Sequence, residues 1–364
     1  MIDRRLITNF DWTLLGSTLL LIFLGVLNLY SASYSFSSGS TPVFLKQVYY
    51  ILMGLAAILV ILQIDYKNLE RYAYWIYGFS VLLLVAVLVV GKTGGGARRW
   101  IGIGGLTYQP SELMKLSLIL ALAKYFHNRN NIGGYQLREL GIPFLLVGAP
   151  TILIMKQPDL GTALILLSLF VTVVLFARVR LKSLIIAGTL AAGSVPVLWQ
   201  FMKDYQKKRL MTFLNPEFDA LGSGYHIIQS KIAVGSGKVL GKGFLSGTQS
   251  QLQFLPEHHT DFIFSVLAEE WGFMGSMVVV LGFLFFILWG VSIAKECKDK
   301  FGTLLSFGIV AMIAWHFLIN IGMVVGLLPV VGVPLPFFSY GGSFVITIMM
   351  GIGLLLNIRM RRFM

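Results

Sequence analysis

Pro256-Glu257-His258-His259-Thr260-Asp261-Phe262-Ile263-Phe264 sets a dense polar cluster directly before a long apolar run that reads as a membrane-buried helix. An ionisable side chain at such an edge costs free energy unless it is paired or wetted, which makes it a functional candidate by default. What Asp261 and its neighbours do depends on which side of the membrane they face. The rest of the chain bears on that.

Of 364 residues, 56% are hydrophobic and 12% charged, about half the charged fraction of an ordinary soluble domain. Mean hydropathy is +0.79. Apolar runs of about 18 residues or more recur throughout, so residues 1–364 read as a single integral-membrane domain. Ten spans are expected, at roughly 12–31, 45–64, 73–91, 111–126, 141–155, 160–177, 183–202, 261–291, 303–327 and 338–358. The run from Trp12 to Tyr30 is too long for a signal-peptide core and long enough to span, so it reads as a retained first helix. The formal charge of +13 sits in short clusters between apolar runs, which suits membrane topology better than nucleic-acid binding. The single cysteine, Cys297, excludes an intrachain disulfide and any Cys-based zinc site.

Orientation follows from the flanking Lys and Arg residues. Arg4 and Arg5, Lys67 and Arg71, Lys124, Arg129 and Arg138, Arg178, Arg180 and Lys182, Lys295, Lys298 and Lys300, and Arg359, Arg361 and Arg362 fall on alternate connections plus both termini. Both ends are therefore expected in the cytoplasm, with one long extracytoplasmic loop, about 203–260, between the seventh and eighth spans. Two basic stretches oppose this rule. Long loops cross regardless of charge, which covers most of Lys203, Lys207, Lys208, Arg209, Lys231, Lys238 and Lys242. It covers less well the short loop Gly94-Gly95-Gly96-Ala97-Arg98-Arg99-Trp100, where charge and backbone N–H donors suit a phosphate-bearing lipid head group.

Other polar residues mark the same side. Gln109-Pro110-Ser111-Glu112 opens the fourth span, with Pro110 suited to a helix start and Glu112 and Lys115 able to pair at i, i+3. Such a pair lets two charges enter the membrane together, and Lys115 could also offer charge to a phosphate. Gln157-Pro158-Asp159-Leu160-Gly161-Thr162 is a second Gln-Pro-acid turn, with Asp159 placed to cap the sixth span. His316 and Asn320, at i, i+4, read as interhelical hydrogen-bond partners rather than ligands. Pro329, Gly332, Pro334 and Pro336, then Ser339-Tyr340-Gly341-Gly342-Ser343, specify irregular backbone at membrane depth, tolerated only where protein or a wet cavity covers it. No Walker-type or dinucleotide fingerprint is present. Any chemistry here draws on an already activated substrate.

These motifs, in this order, resemble the SEDS family of cell-wall proteins along essentially the whole chain. The resemblance rests on Gly96-Ala97-Arg98-Arg99-Trp100, Gln109-Pro110-Ser111-Glu112 with Lys115, Gln157-Pro158-Asp159-Leu160-Gly161-Thr162, Leu255 to Phe262, and Pro334-Leu335-Pro336 leading to Ser339-Tyr340-Gly341-Gly342. Gln249-Ser250-Gln251-Leu252 and Pro334 look more like the RodA-type than the FtsW-type members. The resemblance implies a peptidoglycan glycosyltransferase of the bacterial cytoplasmic (inner) membrane, polymerising lipid II at its outer face during cell elongation. It also implies a class B penicillin-binding protein as transpeptidase partner, alongside other elongation-complex proteins, and gives the acid matching Asp261 as the essential residue.

In that chemistry a sugar hydroxyl attacks an anomeric carbon and polyprenyl pyrophosphate leaves. Asp261 is the candidate base, with Glu257, His258 and His259 beside it, His258 and His259 as alternatives to it, and Glu112 and Asp159 in support. Arg98, Arg99, Lys115 or the basic residues of 203–242 could neutralise the pyrophosphate. A divalent cation such as magnesium or manganese could share that role, but the sequence shows no ligand set for one. The rival class is a lipid II flippase, since broken helices with internal polar residues also suit transporters; a non-catalytic scaffold leaves the outer cluster without a purpose.

Overall fold

A computed structural model describes residues 8–34, 42–94, 97–103, 106–129, 133–219, 222–251 and 259–362. Every expected span falls on a helix: α1 (Trp12–Ser33), α2 (Val43–Gln63), α3 (Tyr66–Val90), α4 (Pro110–His127), α5 (Gly141–Lys156), α6 (Leu160–Phe176), α7 (Leu181–Phe201), α11 (Ile263–Glu296), α12 (Lys300–Val324) and α13 (Gly342–Arg361). By length and composition, seven described helical segments can cross a membrane, and Leu160–Phe176 and Leu181–Val197 are shorter apolar helices. α4 carries Glu112, Lys115 and Lys124 and is buried along almost its whole length, so protein rather than lipid surrounds it.

The helices start where the sequence supplies acceptors for their free N–H groups. Asp11 accepts from Leu14 N at 2.8 Å at the head of α1, and Asp299 from Gly302 N at 2.6 Å at the head of α12. Pro110 stands at the first turn of α4. α4, α12 and α13 form the centre, with α13 lying along α2 and α12 against α11, α4 and α6. α7 is exposed along nearly its whole length, an apolar helix facing lipid on most sides.

Three segments differ from the all-helical expectation. The Gly-rich connection is a small antiparallel sheet, in order β1 (Lys92–Gly94), β2 (Ala97–Ile103), β3 (Leu106–Tyr108). The long connection is itself helical, with α8 (Asp204–Leu214), α9 (Ser223–Ser236) and the short α10 (Thr248–Gln251). Third, α11 is not one helix: Gly272 has φ 64 and ψ −161. The break separates a buried segment, Ile263 to Glu270, from Phe273–Glu296, which at 1.5 Å per residue is about 36 Å long and suffices to span. Backbone groups around the break find partners in the long connection. Phe273 N donates to Lys238 O at 2.9 Å, and Gly243 N to Glu270 O at 2.9 Å. Buried Glu269 holds the same connection through Lys242 Nζ at 2.6 Å and Thr248 N at 2.9 Å.

Candidate active site

Segments from four parts of the chain line a partly open cavity of about 640 Å³. They are the starts of α4 and α6, the residues before α11, and the Pro-rich loop between α12 and α13. Arg99 of β2 and Arg209 of α8 line it as well.

Asp261 lies on this wall, in a segment held by backbone and hydroxyl contacts. Tyr340 N donates to His259 O at 2.9 Å, Ser339 Oγ to Thr260 O at 2.6 Å, and Asn320 Nδ2 to Asp261 O at 2.8 Å. Gly332, at φ 74, passes so close that a β-carbon built there would sit 3.2 Å from Asp261 Oδ2. The Pro-rich loop thus shapes the space around the carboxylate, as the wet-cavity argument anticipates.

Asp159 does cap α6: its Oδ1 accepts from Thr162 N at 3.2 Å. It also faces the cavity, and its Oδ2 accepts from Gln109 Nε2 at 3.2 Å. The two Gln-Pro-acid turns are therefore one unit. Arg99 binds this unit from the other side, donating to Gln157 O at 3.1 Å and to Pro158 O.

Arg98 and Arg99 part company. Successive strand side chains point to opposite faces; Arg98 is exposed and off the wall, whereas Arg99 is on it. Arg209 supplies the second guanidinium at the cavity, a residue the sequence offered only as one of a basic group. Burial and the like charge of Arg99 pull its pKa below the usual value, while Tyr205, Asp261 and Asp159 pull it back. The guanidiniums of Arg99 and Arg209 thus share one space with the carboxyl groups of Asp261, Asp159 and Glu112.

Glu112 and Lys115 do pair, at 2.7 Å. Glu112 reaches the wall, but Lys115 is 1% exposed and sits behind it, which does not suit direct phosphate contact. Its second polar partner is His316: Lys115 Nζ donates to His316 Nε2 at 3.0 Å, and His316 Nδ1 contacts Pro334 O at 3.3 Å. A carbonyl only accepts, so Nδ1 carries the hydrogen and Nε2 receives the lysine's. Of the His316/Asn320 pair, expected to bond other helices, His316 does so through Lys115 of α4, and the remaining bonds go to the backbone carbonyls of Pro334, Val333 and Asp261.

His259 is on the wall; Glu257 and His258 lie outside the described residues. Among the described residues no three His, Cys, Asp or Glu side chains gather as a metal cage. A divalent cation held by the described residues alone would take water or substrate oxygens to complete its shell.

Comparison with known proteins gives one answer along the full chain. It is 41% identical over 358 residues to the peptidoglycan glycosyltransferase MrdB of Escherichia coli K12, covering 98% of this chain and 96% of that one. It is 32% identical to the peptidoglycan glycosyltransferase RodA of Treponema pallidum, covering 98% and 99%. Among solved structures, a chain of a peptidoglycan synthase complex that coordinates polymerization and crosslinking superposes with a TM-score of 0.82 at 34% identity, covering 97% and 98%. The rod shape determining protein RodA of Thermus thermophilus matches with a TM-score of 0.72 at 29% identity, covering 98% of each chain. The model of the FtsW/RodA/SpoVE cell cycle proteins matches residues 11–363. With relatives this similar over almost its whole length, this multi-pass membrane protein belongs to the FtsW/RodA/SpoVE family.

Proposed function

We propose that this protein is a peptidoglycan glycosyltransferase that joins lipid II units into glycan strands at the outer face of the cytoplasmic membrane. The observation that carries the reading is that Asp261 shares one cavity with Arg99 and Arg209. Glycosyl transfer from a pyrophosphate donor asks for that combination: a base for the incoming hydroxyl and positive charge for the departing group.

Asp261 takes the proton of the attacking sugar hydroxyl as the new C–O bond forms at the donor's anomeric carbon. The bond to pyrophosphate breaks with its electron pair going to the phosphate oxygen, and Arg99 and Arg209 stabilise that charge. One displacement without a covalent intermediate inverts the anomeric carbon. Gln109 and Asp159 hold the turn to which Arg99 is bonded. Placing the cavity outside follows from the Lys and Arg distribution. A class B penicillin-binding protein that cross-links the product is the expected partner, in keeping with the peptidoglycan synthase complex among the structural relatives.

The test is polymerisation of lipid II by purified protein with its transpeptidase partner, read as long glycan strands. Asp261→Asn should remove product while leaving thermal unfolding and partner association unchanged. Strands of wild-type length and yield from Asp261→Asn would overturn the assignment. Absence of product from the unsubstituted protein, with lipid II crossing vesicle membranes, would favour a flippase.

A further inference from the structure

Asn320 is fully buried in α12 and spends both its amide hydrogens on backbone carbonyls of two separate segments that line the cavity. Nδ2 donates to Asp261 O at 2.8 Å and to Val333 O at 2.7 Å. Both partners are obligate acceptors, so the amide nitrogen must face them and the orientation of the side chain is fixed. Its oxygen, Oδ1, has no hydrogen-bond partner among the described residues. A buried acceptor left unpaired costs free energy, so the residue is not there for an optimal fit of its own.

What the amide joins explains it. Asp261 stands at the foot of the buried half of α11. Val333 follows Gly332, the residue whose α-carbon walls the Asp261 carboxylate. One side chain therefore spans the two backbone strands whose separation sets where Oδ2 meets the cavity. Helix α12 is well suited to serve as the ruler, since it is buried along most of its length. One turn earlier, His316 bonds Pro334 of the same loop. The loop is thus fixed at two successive residues from one helix face.

We propose that Asn320 is a positioning residue for Asp261: its two donated hydrogen bonds hold the carboxylate at the distance and direction that catalysis needs. The inference rests on reading Asp261 as the base. A misplacement of about 1 Å in a catalytic group costs on the order of 10²-fold in rate. An apolar side chain of similar size at position 320 lets the two carbonyls separate and turns the carboxylate, without touching any surface that binds substrate.

Asn28 provides a matched control. It is equally buried, donates Nδ2 to Ile263 O at 3.0 Å, two residues beyond Asp261, and its own Oδ1 has no partner among the described residues. It bonds neither Asp261 nor the Pro-rich loop.

The experiment measures kcat and KM for lipid II with the partner present, together with thermal unfolding, for Asn320→Leu, Asn320→Ser, Asn28→Leu and Asp261→Asn. Asn320→Leu should lower kcat about 30- to 100-fold with KM within about twofold. Asn320→Ser, whose hydroxyl can donate one of the two bonds, should fall between it and the unsubstituted protein. Asn28→Leu should melt earlier by a similar amount while keeping kcat within about threefold. Equal kcat losses in the Asn28 and Asn320 variants at equal loss of stability would reduce Asn320 to a structural residue, as would an unchanged kcat in Asn320→Leu. If Asn320→Leu does not fold, the serine variant against Asn28→Leu decides. Activity in Asp261→Asn would instead overturn the underlying reading of the base, an outcome separate from any result at position 320.

Discussion

Gln109 Nε2 donates to Asp159 Oδ2 across 3.2 Å, so the first Gln-Pro-acid turn grips the second. The contact spans fifty residues of sequence and joins the starts of α4 and α6. Asp159 meanwhile serves three donors: Thr162 N at 3.2 Å, Thr162 Oγ1 at 2.9 Å and the Gln109 amide. Asparagine brings one oxygen and one amide group, so it keeps the cap or the bridge but not both. Asp159→Asn should lower the stability of detergent-purified protein by on the order of 1 kcal/mol, and Asp159→Ala by more. Pairing Asp159→Asn with Gln109→Leu should cost less than the sum of the two single changes. Strict additivity in thermal unfolding would remove the bridge from the account.

Arg99 and Arg98 are adjacent in sequence and opposite in exposure. Arg99→Ala should raise the KM for the lipid pyrophosphate substrate about tenfold, and Arg98→Ala should change it less than about twofold. Arg99→Lys should behave like alanine rather than like arginine. A lysine ammonium cannot reproduce the planar fork that binds the Gln157 and Pro158 carbonyls while keeping charge toward the cavity. Steady-state kinetics on lipid II separates the three variants, and a lysine variant with unchanged KM would mean that charge alone matters.

Ten apolar runs are visible in sequence because burial in lipid or among other helices leaves little choice of side chain, and all ten fall on helices. The signals that failed are those that apolar composition hides. Gly272, between Trp271 and Phe273, looks like any packing glycine in an apolar run; only its contact with residues 237–241 reveals a break. Lys115 reads as a charge available to substrate because its neighbour His316 is 201 positions away. Arg209 is one cation among many in the long connection until folding turns it to the cavity. Asp261 and Asp159 were legible because each ionisable group stands at the border of an apolar run, where chance seldom leaves one.

The Glu112–Lys115 pair is enclosed, with Lys115 Nζ also 5.2 Å from the centre of the Phe344 ring. Lys115→Met strips a buried carboxylate of its partner and should cost about 3–5 kcal/mol. Adding Glu112→Gln should recover much of that stability, because no lone charge is then left buried. Polymerisation should not recover with it, since the lysine also holds His316, which fixes the Pro-rich loop at Pro334. Stability is read by thermal unfolding and activity by glycan strands. Full activity in the double variant would assign the pair to folding alone.

Gly272 offers the sharpest test of how the broken helix serves the site. Its backbone lies at φ 64 and ψ −161, a region that residues with a β-carbon adopt only with strain of about 1–3 kcal/mol. A β-carbon there would also stand 2.3 Å from Gly241 N and 2.7 Å from Val239 O, both backbone atoms that cannot swing away. Gly272→Ala should therefore push residues 237–243 off the break and disturb the Lys242–Glu269 contact. Gly188→Ala in α7, where nothing lies within 4 Å of the added carbon, should be neutral or slightly stabilising. The buried segment from Ile263 to Glu270 carries Asp261 at its foot. Glycan synthesis should accordingly fall in Gly272→Ala, with faster proteolysis within 237–251, while Gly188→Ala retains both properties. An active Gly272→Ala with an unchanged digestion pattern would show that the break can close without moving Asp261.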